Sequence, residues 1–237
     1  VLGTAQDGGV PQAGAFDEPG WLDPAARRRI VSLGIADPES GERWLFEATP
    51  DFREQLTAFE RATGSRPGRP VLDGILLTHA HIGHYTGLMF LGHESVGAGA
   101  IAVWAMQRMR AFLECNGPWD QLVRRKNIVL HDLAAGRPLA LNSRITVTPF
   151  LVPHRQEYSE VCGFKITGPN RSVLFIPDID SWREFDEAGT KIESLIATVD
   201  RAYLDGTFFA NGEIPGRDMT GFPHPMISDS LARFAAL

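Results

Sequence analysis

The sequence contains little cysteine and no long hydrophobic run. Its 237 residues include only two cysteines, Cys115 and Cys162, which lie far apart and form no CxxC pair. We therefore expect neither a disulfide framework nor a cysteine-based metal site, and we predict that both side chains are small and buried. No apolar stretch approaches the ~20 residues that a membrane-spanning helix requires, so no membrane partner is expected. Internal repeats and low-complexity segments are also absent.

Positive charge is scarce as well. Lys and Arg number 23 against 29 Asp and Glu, which gives a formal net charge of −6 and a pI near 5.6. Without a basic stripe, a nucleic-acid partner is not expected, and a small-molecule substrate is the simpler partner. The chain begins at Val1, already inside a predicted strand, which indicates that something upstream was removed or not included. The sequence leaves open a cytoplasmic or a periplasmic or secreted location, and it allows a homo-oligomer.

Apolar patterns predict two runs of strands with helices between them. Strands are predicted near residues 1–4, 30–36, 43–48, 71–77, 101–104, 127–131, 139–141, 145–150, 164–166, 172–176 and 202–204, and helices near 52–62, 88–91, 106–113, 192–199 and 229–236. Two sheets with helices outside them form the layered arrangement that buries all of these elements. We therefore predict one domain over residues 1–237.

Three of the seven histidines fall within six positions, directly after the predicted strand at 71–77. They are His79, His81 and His84, in the sequence Thr-His-Ala-His-Ile-Gly-His. If the backbone stays extended, His79 and His81 point to the same side, because side chains alternate along a strand. Neutral imidazole is a good ligand for zinc and related ions, so the triplet predicts a metal site. The alternative is three exposed or stacked histidines without a metal.

Further candidate donors follow other predicted strands, at positions where loops commonly display functional groups. His154 and Asp178 each come directly after a strand and a proline, and His224 lies in a Gly/Pro-rich loop before the last helix. His93 and His131 lack this setting, and we interpret them as ordinary histidines.

This ordered set of residues resembles the metallo-β-lactamase fold, and most of all the group similar to pyrroloquinoline-quinone biosynthesis protein B. The HxHxxH motif is followed by a lone His, a lone Asp and a final His, each after a successive strand. Other stretches that carry the resemblance extend from the first residues nearly to the last: residues 1–4, 8–12, 45–51, 77–88, 205–209 and 223–225.

The resemblance implies an α+β fold, a four-layer αββα sandwich with a metal site along one edge of its two sheets. His79, His81 and His154 would hold one metal ion, and His84 and His224 a second. Asp178 would bridge the two ions and act as the catalytic carboxylate, with Asp180 as its competitor. The cofactor would be one or two zinc ions, with iron or manganese as alternatives.

The sequence departs from the family pattern in three places. Gly83 stands where metallo-β-lactamase-type hydrolases usually have Asp, so we expect a weaker second site and a centre more positive by one unit, which would favour anionic substrates. The region of Gly14 lacks the cysteine cluster that holds a structural zinc in relatives, so no structural zinc is predicted. The quinone-biosynthesis protein generally lacks the full histidine set that this chain has.

These features favour a zinc-dependent hydrolase that uses metal-activated water on an ester, lactone, β-lactam or phosphodiester. Tyr158 and Gln156 follow His154 closely and are candidate substrate contacts. Asp51, Asp180 and Asp205 are candidates for orienting the imidazoles. Two alternatives stay open: a mononuclear metal oxygenase-type enzyme, and a non-catalytic binding or carrier protein of the pyrroloquinoline-quinone pathway.

Overall fold

The computed structural model describes residues 1–237, which divide into two compact units. The first comprises Val1–Leu133 together with Tyr158–Glu160. The second comprises Ala134–Glu157 together with Val161–Leu237. None of the helices has the length and apolar character needed to cross a bilayer.

The first unit is built on a five-stranded mixed sheet with strand order β1-β2-β3-β4-β5. Its strands are β1 (Leu33–Ala36), β2 (Arg43–Phe46), β3 (Gly74–Leu76), β4 (Ile101–Ala105) and β5 (Ile128–Asp132). The predicted strands at 30–36 and 43–48 contain β1 and β2, which pair antiparallel with Leu33 opposite Phe46. The remaining neighbours in the sheet are parallel. Every residue of β2 and β3 is buried, as expected for strands inside a parallel sheet.

Helices in the first unit bury one face against this sheet. They are α1 (Phe52–Thr63), α2 (Ile82–Tyr85), α3 (Gln107–Cys115) and α4 (Trp119–Arg124), with 3-10 turns at Pro19–Trp21, Pro24–Ala26 and Thr86–Leu91. The helix predicted at 52–62 is confirmed, because Phe52, Gln55 and Phe59 recur at helical spacing and are buried. The core includes Leu45, Leu77, Leu88 and Met109.

The N-terminal segment pairs with the stretch before β1 without forming a regular strand. Gly3 bridges to Ser32 and Ala5 bridges to Ile30, where a strand was predicted at residues 1–4. A Cβ atom at Gly3 would lie 1.9 Å from the carbonyl oxygen of Ile30, so only glycine allows this close approach. The loop that follows, residues 6–9, is therefore fixed at both ends, because Val10 also exchanges backbone hydrogen bonds with Arg28.

The second unit contains another five-stranded sheet, with order β10-β9-β8-β7-β6. Its strands are β6 (Leu139–Ala140), β7 (Thr146–Leu151), β8 (Cys162–Thr167), β9 (Ser172–Ile176) and β10 (Arg201–Leu204), and its helices are α5 (Trp182–Glu187), α6 (Ile192–Ile196) and α7 (Ile227–Phe234). All neighbours are antiparallel except β9 and β10. The crossover between these two parallel strands contains α5 and α6.

Some expectations from the sequence were wrong. Cys162 is buried, but Cys115 is exposed at the end of α3, and neither forms a disulfide. Helices α4 and α5 were not predicted, because six residues are too few to establish an apolar period. The start of α5 has a recognisable signal in Ser181, whose Oγ accepts a hydrogen bond from the backbone N–H of Glu184.

Helix α7 is attached to the second unit by polar contacts as well as apolar packing. The Trp182 indole N–H donates to Ser230 Oγ at 2.8 Å. The guanidinium of Arg233 donates to Asp186 at 2.6 Å and to Glu193 at 2.5 and 3.0 Å. Burial raises the pKa of Asp186, but the hydrogen bonds from Arg233, the backbone N–H of Ile192 and Lys191 together outweigh it, so this pKa is lowered. The hydrogen bonds from Arg233 also lower the pKa of Glu193.

Replacing Arg233 is expected to destabilise the protein in a pH-dependent way. Arg233→Ala removes charge-assisted hydrogen bonds that are about three-quarters shielded from solvent, so the free energy of unfolding should fall by about 1–2 kcal/mol at pH 7. Both carboxyl pKa values are lowered in the folded state, so their contribution is complete above the ordinary values and is lost as the pH falls. The difference in the free energy of unfolding between variant and wild type should shrink as the pH falls below 4.5 and then 3.8, the ordinary pKa values of Glu193 and Asp186.

Denaturant unfolding at pH 7 and at stepwise lower pH measures this difference. Arg183→Ala is the matched control, since Arg183 is exposed and only 3.9 Å from Glu187 on the same helix. Its effect should stay within about 0.5 kcal/mol at every pH. Equal effects of the two substitutions would contradict the role of Arg233.

Candidate metal centre

The three clustered histidines of the first unit lie where the chain leaves β3 and turns into α2. The ring centroid of His79 is 4.4 Å from that of His81 and 4.2 Å from that of His84. His79 Nε2 and His81 Nδ1 face each other at 2.8 Å. His79 and His84 are almost completely buried. The four-residue helix α2 is what turns His84 back toward the other two rings.

In two of these rings, a side-chain oxygen lies close to the Nδ1 atom. Thr78 Oγ1 is 2.8 Å from His79 Nδ1, and Glu47 Oε2 is 3.4 Å from His84 Nδ1. A neutral imidazole carries one N–H, and when Nδ1 holds that proton against an oxygen, the lone pair is on Nε2. Outer oxygens of this kind commonly fix the tautomer of a metal-binding histidine.

Glu47 is a polar residue that sequence reasoning did not select. Its side chain is fully buried directly after β2, and its Oε1 accepts a hydrogen bond from the backbone N–H of Thr78 at 3.2 Å. Its backbone φ is +71°, which is uncommon for a non-glycine residue. Strained backbone at a buried carboxylate is typical of functional sites. No local pattern marks Glu47, because its partners lie 31 and more residues away.

Asp7 is a second residue that sequence reasoning missed. Its Oδ1 lies 3.0 Å from His84 Nε2, the ring nitrogen opposite Glu47. The side chain of Asp7 is 29% exposed, whereas that of His84 is completely buried. The residue belongs to the loop at residues 6–9, between the backbone bridges of Ala5 and Val10. Asp7 is the residue of that loop whose carboxylate contacts a histidine of the cluster.

The second unit assembles its own group of donors at the ends of its strands. His154 Nδ1 is 2.7 Å from Asp180 Oδ1, and His154 Nε2 is 3.9 Å from Asp178 Oδ2. The two aspartates therefore occupy different sides of one ring. Asp180 is positioned to hold the Nδ1 proton, and Asp178 is next to the nitrogen that carries the lone pair.

His224 has the same arrangement. Its Nδ1 is 2.6 Å from Asp205 Oδ2, and its ring centroid is 5.3 Å from that of His154. Asp205 is itself buried and accepts hydrogen bonds from the backbone N–H groups of Ile179 and Thr207. Burial lowers the pKa of His224, but its hydrogen bond to Asp205 and the nearby carboxylate charges outweigh this effect, so the pKa is raised. The negative charge of the carboxylates around His224 therefore favours a cation at this position.

The other candidates have simpler surroundings. Tyr158 is largely exposed and its ring centroid is 5.6 Å from that of Phe112 in the first unit, while Gln156 is exposed in the second unit. Their contact with a substrate stays a prediction. Asp51 accepts a hydrogen bond from the backbone N–H of Ile30 at 2.8 Å, so it fixes the N-terminal segment and not an imidazole. His131 stacks at 5.5 Å on Trp104.

Both groups of donors have the chemistry that zinc requires. They offer imidazole nitrogens and carboxylate oxygens, which are its usual ligands when cysteine is absent. Within the second unit, donor atoms of Asp178, Asp205 and His224 lie within 4.8 Å of one another. The donor set of this chain therefore fits a bound zinc or a similar divalent ion.

Comparison with known proteins places the chain in a family. The family described as the beta-lactamase superfamily domain matches residues 42–232. The chain belongs to this superfamily. Its curated relatives include coenzyme PQQ synthesis protein B of Pseudomonas aeruginosa, which is 30% identical over 237 residues, covering 90% of this chain and 74% of the relative.

A second superfamily relative is coenzyme PQQ synthesis protein B of Xanthomonas campestris pv. campestris. It is 30% identical over 158 residues, which are 65% of this chain and 51% of the relative. The aligned part is thus about half of that relative's length. The resemblance to a group similar to this protein B, within the metallo-β-lactamase fold, is confirmed.

Solved structures confirm the fold. Zn(2+)-bound PqqB from Methylobacterium extorquens is 20% identical and has a TM-score of 0.79, covering 100% of this chain and 84% of that one. A diphosphatase from the PhnP family is also 20% identical and has a TM-score of 0.66, covering 98% and 78%. The predicted α+β sandwich of the metallo-β-lactamase type is therefore the fold of this superfamily member.

Removing Glu47 is expected to destabilise the protein even without metal. Glu47→Ala leaves the backbone N–H of Thr78 without its side-chain acceptor and His84 without the oxygen behind it. The free energy of unfolding should fall by about 1–3 kcal/mol. Denaturant unfolding in the presence of a chelator measures this effect apart from metal binding. Glu54→Ala, at a half-exposed position of α1, is the control and should change stability by less than about 0.5 kcal/mol.

Proposed function

We propose that this chain is a zinc-dependent hydrolase with a small-molecule substrate. His79, His81 and His154 would hold one ion, His84 and His224 a second, and Asp178 would bridge the two. This assignment is the one that the resemblance to the metallo-β-lactamase fold implies, and the chain belongs to the beta-lactamase superfamily. One or two zinc ions per chain are proposed, with iron or manganese as the alternatives that metal analysis would identify.

The observation that carries this proposal is the repeated pairing of imidazole Nδ1 with an oxygen. It occurs at His79 with Thr78, at His154 with Asp180 and at His224 with Asp205, at 2.8, 2.7 and 2.6 Å. At His84 the oxygen of Glu47 lies at 3.4 Å. Ordinary surface histidines have no reason to share this arrangement, whereas histidines that bind metal through Nε2 need it.

The chain's own residues would divide the work of hydrolysis. A bound divalent ion supplies a water of lowered pKa and polarises the oxygen of the scissile group. Asp178, which is partly exposed, would accept a hydrogen bond from the attacking water and orient it. Asp180 and Asp205 would keep the rings of His154 and His224 in one tautomer. Tyr158 and Gln156 would contact the substrate.

Substrate class is the open part of the proposal. Esters, lactones, β-lactams and phosphodiesters all present an electrophilic centre that activated water can attack. The structural likeness to a diphosphatase shows only a common fold, but it justifies phosphodiesters and diphosphate esters in the first test panel.

The experiment is a substrate panel with His81→Ala as the inactive control. The wild-type protein, loaded with zinc, should hydrolyse at least one substrate class, and the His81→Ala variant should lose at least ~100-fold in kcat/KM with an unchanged fold. His131→Ala removes an exposed histidine outside both groups of donors and should leave the rate unchanged. A rate that is equal in the wild type and in His81→Ala would contradict the proposal.

A non-catalytic role in binding a quinone-pathway compound is the second candidate. The names of the curated relatives favour it, since they are coenzyme PQQ synthesis proteins. Tight binding of pyrroloquinoline quinone, unchanged by His81→Ala and without turnover of any panel substrate, would support this role over hydrolysis. Calorimetric titration with the quinone separates the two candidates.

Asp178 and Asp180 should respond differently to substitution. Asp178→Asn removes a proposed ligand and should reduce both the number of bound zinc ions and the rate. Asp180→Asn keeps a hydrogen-bond acceptor near His154 Nδ1 but removes the charge, so zinc affinity should fall by only about 10–100-fold while stoichiometry at saturation stays the same. Zinc content after desalting and competition with a chromophoric chelator measure both effects. The reverse order would show that Asp180 is the bridging residue.

A further inference from the structure

Gly83 occupies the position at which the HxHxDH pattern of metallo-β-lactamase-type hydrolases has Asp. It lies in α2, one residue before His84, and its backbone φ is not in the left-handed region. Backbone conformation therefore does not require glycine here. The reason for glycine must be space.

Asp7 is what fills that space. A Cβ atom at Gly83 would lie 2.4 Å from Asp7 Oδ1, 2.5 Å from Asp7 Cγ and 2.9 Å from Asp7 Cα. Non-bonded contacts of a Cβ atom are essentially never this short. A side chain at position 83 and the Asp7 carboxylate in its present position therefore exclude each other. The Asp7 carboxylate thus occupies the space that the first side-chain atoms of an aspartate at position 83 would need.

The Asp7 carboxylate is also directed at the relevant atom. Its Oδ1 is 3.0 Å from His84 Nε2, and Glu47 lies on the opposite side of the same ring, near Nδ1. Nε2 is the nitrogen through which His84 would bind the second ion in the proposed function. A carboxylate at this distance from a ligating nitrogen lies where a further ligand of the same ion belongs.

The loop that carries Asp7 is held in place by the rest of the first unit. The backbone N–H of Gly9 donates to the carbonyl oxygen of Gln6 at 2.8 Å and closes the turn. Before the turn, the N–H groups of Thr4 and Ala5 both donate to the carbonyl oxygen of Arg29. After it, Val10 pairs with Arg28. Asp7 therefore sits on a turn anchored on both sides, so little ordering is needed to present its carboxylate.

We propose that Asp7 replaces the missing motif aspartate as a ligand of the second metal ion. The inference rests on the proposed function, because it presumes that His84 binds metal. Under this proposal the second site keeps a carboxylate ligand, so the weaker second site and the extra positive charge expected from the sequence no longer follow from Gly83. The carboxylate ligand comes from Asp7 in the N-terminal loop and not from position 83. Position 83 is glycine because a side chain there would collide with Asp7.

The test compares zinc binding by the full-length wild type and variants of both positions. The wild type should hold two zinc ions per chain, measured by elemental analysis after desalting. Asp7→Asn should hold one, with the affinity of the second ion reduced at least ~10–100-fold in chelator competition. Asparagine can still accept a hydrogen bond from His84, so a role limited to orienting that ring predicts no change.

Asp17→Asn is the matched control, because Asp17 is exposed in the same N-terminal region. It should bind zinc like the wild type. The decisive variant restores the usual motif: Asp7→Gly combined with Gly83→Asp should regain the second ion, whereas Gly83→Asp alone should not, because its side chain collides with Asp7. Circular dichroism of all variants with chelator present verifies that each is folded.

The possible outcomes separate this inference from the proposed function. Two ions bound by the wild type and by Asp7→Asn with equal affinity would overturn the role of Asp7 and leave the metal centre intact. A single ion in the wild type would also overturn it, since no second site would exist. A wild type that binds no zinc would overturn both proposals. Loss of one ion in Asp7→Asn with recovery in the double variant would establish the exchange.

Discussion

A histidine ring can bind a metal only through a nitrogen that carries a lone pair, and much of the polar structure here serves to decide which nitrogen that is. A neutral imidazole has one proton to place. Oxygens of Thr78, Asp180 and Asp205 lie within hydrogen-bonding distance of Nδ1, where each can accept the proton of that nitrogen. This constraint accounts for polar groups that would otherwise be costly to bury. It also explains why the carboxylates in the second unit have distinct tasks.

The same constraint connects the fold to the chemistry. Strand ends bring Asp178 and Asp205 to one edge of the second sheet, and the backbone N–H of Ile179 then fixes Asp205 by a hydrogen bond at 3.0 Å. In the first unit, the end of β2 presents Glu47 and the end of β3 leads into the histidines. Regular elements supply the rigidity, and the irregular segments after them supply the functional groups.

Position 83 shows that a motif residue can be lost while its chemistry is conserved elsewhere. Read along the chain, Gly83 indicates a missing ligand. In three dimensions it is the space that lets Asp7 reach His84, 77 residues away in sequence. With Asp7 as the proposed ligand, the centre keeps the carboxylate that Gly83 lacks. Under that proposal, a preference for anionic substrates would depend on groups that the substrate itself contacts.

The sequence alone determined most of the regular elements and the candidate histidines, because both depend on local patterns. Short apolar runs predicted β1 and β2, helical spacing predicted α1, and the triplet of His79, His81 and His84 is visible without any structure. Only the tertiary structure decided which oxygen lies next to the Nδ1 atom of each imidazole. Asp178 and Asp180 lie two residues apart in the sequence, and only the structure shows that they face different nitrogens of His154. Glu47 and Asp7 carry no local signal, because their partners are distant in the chain and only folding brings them together.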